Sequence, residues 1–163
     1  MIVLKNILVA TDFSEPAAVA MAYGRDLART YNARLHVVHI VEDVLTHYSP
    51  EIGLVSEQVQ KDLEELAWRD LDAAVTDDDR RTISIVANVK TSVNIASGIV
   101  DYAKANAIDL IITGTHGRGA VKHLLMGSVA ERVVRTAPCP ALTVHAHERD
   151  FIAPDAMAAC AIA

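Results

Sequence analysis

Three glycines and a serine stand in the frame G-x2-G-x9-G-S between Gly114 and Ser128, within the run GTHGRGAVKHLLMGS. Glycine has no Cβ and adopts positive φ at little cost, so backbone N–H groups in such a run can close on an anion. A helix beginning at its end adds N–H donors that lack intrahelical partners and a partial positive charge of about half an electron. The chemistry on offer is a phosphate cradle. Ser128, with Glu131 three residues later, spells an S-x-x-E capping box, and its hydroxyl could instead face a phosphate oxygen. A glycine-rich turn that merely joins strand to helix would show the same pattern, because isolated glycine motifs are weak signals.

Other residues bear on the same chemistry. Arg118, Lys122 and His123 lie inside the glycine run. They read either as charge complement to a polyphosphate or as the solvated face of a short helix, GAVKHLLM, whose Val121, Leu124 and Leu125 turn inward. Asp12 follows the apolar run NILVA, where a carboxylate suits a ribose hydroxyl or the water shell of Mg²⁺; the plainer role is a turn-forming aspartate before a helix. Of the seven histidines, His36 and His39 fall on opposite faces of a strand because their separation is odd. His145 and His147 could share a face, but no Cys, Asp or Glu completes a zinc set, so they read as a surface pair. Cys139, between two prolines, reads as a buried inert thiol. Neither a G-x4-G-K-[ST] loop, nor G-x-G-x-x-G after the first strand, nor a G-x-S-x-G elbow is present.

The elements that must position these residues alternate. Strands are predicted at 6–10, 34–41, 82–89, 109–113 and 141–145. Helices are predicted at about 15–31, from Val55 along the stripe Val59, Leu63, Leu66, Ala67, Leu71 and Ala74, at 93–105 and at about 128–136. The acidic cluster Asp77–Asp79 is expected to end the second helix, and 42–54 to be a loop. Ser14, Glu15 and Pro16 mark the start of the first helix. This alternation implies an α/β domain with a parallel sheet and helices on both faces. Its ligands would bind at the carboxyl ends of the strands, where the strand order reverses.

The 163 residues fit a single domain. A hydrophobic share of 52% with only 4% aromatics favours an aliphatic core, and a net charge of −6 argues against a nucleic-acid backbone as partner. With no stretch near the ~18 apolar residues of a membrane helix and no basic leader, the expectation is a soluble cytoplasmic protein.

Together these residues closely resemble the universal stress protein family. The resemblance spans about residues 4–145: KNILVATDFSEPA, LHVVHIVED and DLIITGTHGRGAVKHLLMGSVAERVVRTAPCPALTV. It implies a three-layer, Rossmann-like domain over 1–145, with a five-stranded parallel sheet of order 3-2-1-4-5. It also implies a homodimer pairing the last strands, and ATP lying over the first and fourth strands with Mg²⁺ near Asp12. On that frame Ala10 and Asp12 would line the adenosine pocket and Ile40 would contact adenine, partly through its backbone. Thr113, Gly114, His116 and Gly117 would wall the other side, with Arg118 nearby. Gly127, Ser128 and Val129 would hold the phosphates through backbone N–H groups. The tail 146–163 reads as a C-terminal extension, either packed on a partner subunit or disordered. The function implied is an ATP-binding regulatory module without a catalytic residue; the alternatives are a slow ATPase or phosphotransferase, and a nucleotide-free interaction protein.

Overall fold

The computed structural model describes residues 1–44, 53–115 and 126–145, the side chains of 53–56 excepted. Five strands form one parallel sheet: β1 (Asn6–Ala10), β2 (Arg34–Glu42), β3 (Ile85–Ser92), β4 (Leu110–Gly114) and β5 (Ala141–Val144), in the order β3-β2-β1-β4-β5. The expected fold and strand order are both observed. β1 is central because NILVA is apolar on both faces, and Ile7, Leu8 and Val9 are fully buried. Ile7 and Val9 pack beneath α1 (Glu15–Tyr31) and α2 (Gly53–Ala74) together with Met21, Leu35, Val37 and Leu71. Leu8 and Ala10 face the other layer, built by α4 (Ile95–Ala105) and α5 (Ser128–Thr136) with Ile99, Tyr102 and Val133.

Several boundaries differ from expectation: α2 begins at Gly53, inside the expected loop 42–54, α4 begins at Ile95 rather than Val93, and β3 runs on to Ser92. Asp77–Asp79 do not simply stop α2; they open a short helix, α3 (Asp77–Thr82), and β3 therefore begins at Ile85 rather than Thr82. The cause is a capping box: Thr76 Oγ1 accepts from Asp79 N–H at 3.1 Å, and an Asp79 oxygen accepts from Thr76 N–H at 3.0 Å. Three carboxylates in the first turn also complement the helix dipole. In α2, the apolar stripe is only partly used. Ala67 and Leu71 are buried, whereas Val59, Leu63 and Leu66 are exposed.

A second contact made by Asp79 ties the layer together. Its carboxylate is 2% exposed and meets Arg25 of α1 in a two-point pair, with Nε and Nη2 each at 2.8 Å; Nη2 also donates to the Ala74 carbonyl at 2.9 Å. Burial pushes this carboxyl up, but the Arg25 guanidinium and the Thr76 donors outweigh it and hold it below the usual range.

His36 and His39 lie on opposite faces, as their odd spacing requires. His36 is buried against α4, its Nδ1 2.9 Å from the Tyr102 hydroxyl, while Nε2 has no hydrogen-bond partner among the described residues. Burial, followed by the charge of Arg34, lowers its pKa. A lowered folded value means that stability is complete above the ordinary imidazole value of about 6.5 and declines as pH falls below it. Thermal unfolding between pH 7.5 and 5 should show that decline, and His36→Phe should flatten it; an equally steep variant would assign the loss to other groups.

Candidate functional site

The strand order reverses at β1, with β2 on one side and β4 on the other, so the candidate site lies at the carboxyl ends of these strands. Ala10 stands beside Thr113 across the β1–β4 pairing. Thr11 prolongs the pairing with β2 by donating to the Val38 carbonyl at 3.0 Å. The chain then turns: Phe13 N–H donates to Thr11 Oγ1 at 3.0 Å, and Phe13 has φ 63°. Asp12 Oδ1 accepts from Ser14 N–H at 3.1 Å and from Ser14 Oγ–H at 2.5 Å. Asp12 thus fills its turn-forming role while standing at the switch point; a carboxylate has about four lone-pair sites, so the two roles are compatible.

Gly114 earns its place sterically. A Cβ there would stand 2.8 Å from Pro16 Cβ, 3.0 Å from the Pro16 carbonyl carbon and 3.2 Å from Ala17 N, so only glycine lets the first turn of α1 sit against β4. No glycine among the described residues has positive φ. At Gly114, then, the absent Cβ matters rather than the left-handed conformation. Gly127 is extended, at φ −71° and ψ 150°.

Gly127, not Ser128, is the N-cap of α5, and the expected S-x-x-E box does not form. Gly127 N–H donates to the Thr115 carbonyl at 2.6 Å, and the Gly127 carbonyl accepts the first helical bond from Glu131 N–H at 3.0 Å. That long-range bond sets where the helix starts, and the Glu131 side chain pairs with Arg135 at 3.2 Å instead. The Gly127 N–H is therefore committed inside the protein. By helix geometry, the donors left for an anion belong to Ser128, Val129 and Ala130.

Thr115 joins the loop to the sheet edge. It is 3% exposed, donates its N–H to the Val144 carbonyl at 2.8 Å, and places Oγ1 2.7 Å from His145 Nδ1. Ile40 and Thr113 are buried, as their periodicity suggests, and Ile40 packs toward Gly98 of α4. Cys139 is half-buried, and its thiol is pushed up by burial and by Asp109, consistent with an unreactive role. His116, Gly117, Arg118, Lys122, His123 and His147 lie outside the described residues. Among the described residues, no group of three or more His, Cys, Asp and Glu is arranged to hold a metal ion. A cavity of about 390 Å³ lies beside α1 and α2, lined by Met21, Arg25 and Val37 and, from the Asp12 turn itself, by Thr11, Phe13 and Ser14.

The Universal stress protein family profile matches residues 4–145. The chain belongs to the universal stress protein family. A universal stress protein of Methanocaldococcus jannaschii is 29% identical over 143 residues, spanning 86% of this chain and 81% of the relative. Among solved structures, the universal stress protein UspA from Lactobacillus plantarum superposes with a TM-score of 0.79 at 24% identity, covering 88% of this chain and 99% of its own. The universal stress protein from Archaeoglobus fulgidus in complex with dAMP gives 0.58 at 19% identity, covering 88% and 99%. The likeness to these universal stress proteins extends over the whole of the described sheet. Reading the sequence missed Phe13, His39 and Thr115, because their partners are distant in the chain and no local motif marks them.

Proposed function

We propose that this universal stress protein binds an adenine nucleotide, ATP with Mg²⁺, at the carboxyl ends of β1 and β4, and acts as a nucleotide-dependent regulatory module. The observation that carries the reading is the arrival of Asp12 and the start of α5 at the same end of the sheet: Gly114 packs on Pro16, and Gly127 is bonded to Thr115. The dAMP complex of the Archaeoglobus fulgidus protein supports an adenine nucleotide in this fold. Asp12 would meet the ribose or the Mg²⁺ water shell, and the N–H groups of Ser128, Val129 and Ala130 the phosphates. Ala10 and Ile40 would line the adenosine side, with Thr113, Gly114, His116, Gly117 and Arg118 opposite. Mg²⁺ would neutralise phosphate charge. The tie from Asp12 to Ser14 suits a carboxylate that orients a ligand rather than one that abstracts a proton, so hydrolysis would be weak at most. The protein would work in the cytoplasm as a homodimer joined along β5, an edge strand of the sheet.

Mg-ATP at 100 times its Kd should stabilise the native state by about 2.7 kcal/mol, raising Tm by roughly 5–10 °C for a chain of this size. Gly127→Val should abolish the shift. Valine readily adopts the extended conformation of residue 127, so the ligand-free Tm should stay near that of the parent, while its branched side chain blocks the helix start. No shift of the parent with ATP, ADP or AMP would overturn the reading.

A further inference from the structure

The residue that stands between Thr11 and Phe13 is Asp12, and both neighbours are gripped by one side chain from β2. His39 Nδ1 lies 2.8 Å from the Thr11 carbonyl oxygen. A carbonyl only accepts, so Nδ1 carries the proton and donates. The His39 ring also stacks on Phe13, with centroids 4.7 Å apart and an interplanar angle of 28°. Phe13 is held at φ 63°, in the left-handed region where a residue with a Cβ is strained, and such a conformation persists only where its surroundings over-determine it. Among the surroundings that do so are the imidazole plane against the Phe13 ring, the Thr11 hydroxyl that accepts the Phe13 N–H, and the hydrophobic core on which Phe13 packs. Backbone dihedrals on either side of Asp12 set the direction in which its carboxylate leaves the turn.

We propose that His39 is a positioning residue of the nucleotide site: by bonding the carbonyl before Asp12 and stacking on the ring after it, it fixes the turn that presents the Asp12 carboxylate to an adenine nucleotide. The proposal rests on the nucleotide-binding reading above. His39 need not touch the ligand. Its effect passes through Asp12, and this distinguishes it from a general packing role.

The test is the Kd of Mg-ATP, measured by titration calorimetry on the 163-residue chain. His39→Ala should weaken binding about tenfold, the size expected when one part-buried polar contact and a ring stack are lost. His39→Asn, whose Nδ2 keeps a donor for the Thr11 carbonyl, should recover to within about threefold of the parent. In an Asp12→Asn background, where the turn can form but the charge is gone, His39→Ala should change Kd less than about twofold, since coupled sites are not additive. A purely structural histidine would weaken binding equally in both backgrounds, and that result would overturn the proposal. So would a His39→Ala protein that binds as the parent does. A parent that binds no adenine nucleotide would instead overturn the nucleotide reading, and this proposal with it.

Discussion

Arg25→Ala should cost the fold about 3–5 kcal/mol, the penalty for stranding a buried charge. Asp79 is 2% exposed and receives both prongs of the Arg25 guanidinium at 2.8 Å, so truncation leaves a carboxylate away from water with only its Thr76 donors and a distant Arg29, 3.8 Å off. For a chain of this length the loss corresponds to roughly 10 °C in Tm. The pH dependence follows from the sign of the shift. Asp79 titrates below its ordinary value in the folded protein, so its contribution is present above about pH 3.9 and is lost as pH falls through the lower, folded value. The gap in stability between parent and Arg25→Ala should therefore narrow as the solution is acidified from pH 7 toward 3. Urea unfolding across that range would check it, and a gap that stayed constant would mean the pair is not the source. Arg25→Lys, which keeps the charge and loses the fork, should fall between the two.

Gly114→Val should destabilise the chain by about 3 kcal/mol, at the upper end of overpacking costs. A Cβ at 114 meets backbone atoms of Pro16 and Ala17, which cannot swing aside as a side chain can. The start of α1 would have to lift from β4, taking Ser14 and the Asp12 turn with it. Gly24 offers the contrast. A Cβ there would press on Val9 Cγ2 and Leu35 Cδ1, which are side-chain atoms, and alanine inside α1 gains about 1 kcal/mol of helix propensity over glycine. Gly24→Ala should consequently cost less than Gly114→Val in the same urea experiment. Equal stability of Gly114→Val and the parent would show that α1 tolerates displacement.

What could be read from the sequence depended on how locally each feature is determined. NILVA and DLIIT announce buried strands because a parallel strand covered on both faces must be apolar throughout, and β1 and β4 form within one residue of expectation. The strand order came from the family resemblance; no periodicity specifies which strands are neighbours. Thr76-x-x-Asp79 was a readable capping box, but the acidic run obscured it, and the burial of Asp79 depends on Arg25, 54 residues away. Ser128-x-x-Glu131 was equally readable and did not form, since a bond from Gly127 to Thr115 moved the cap one residue earlier. Asp12 and the glycine frame stood out by residue type. The contribution of His39 did not, because the distorted φ of Phe13 that makes it necessary has no signature in the residue types of that turn.

The bond between Thr115 and Gly127 has a topological meaning as well as a local one. It joins the residue that follows β4 to the residue that caps α5, and the same threonine is fastened to Val144 and His145 at the edge of the sheet. The end of β4 is thereby registered to α5 and β5 at once. Loop-closure entropy rises only about 0.6 kcal/mol for each doubling of length. The segment between these two residues can therefore change length at little cost to the sheet beneath.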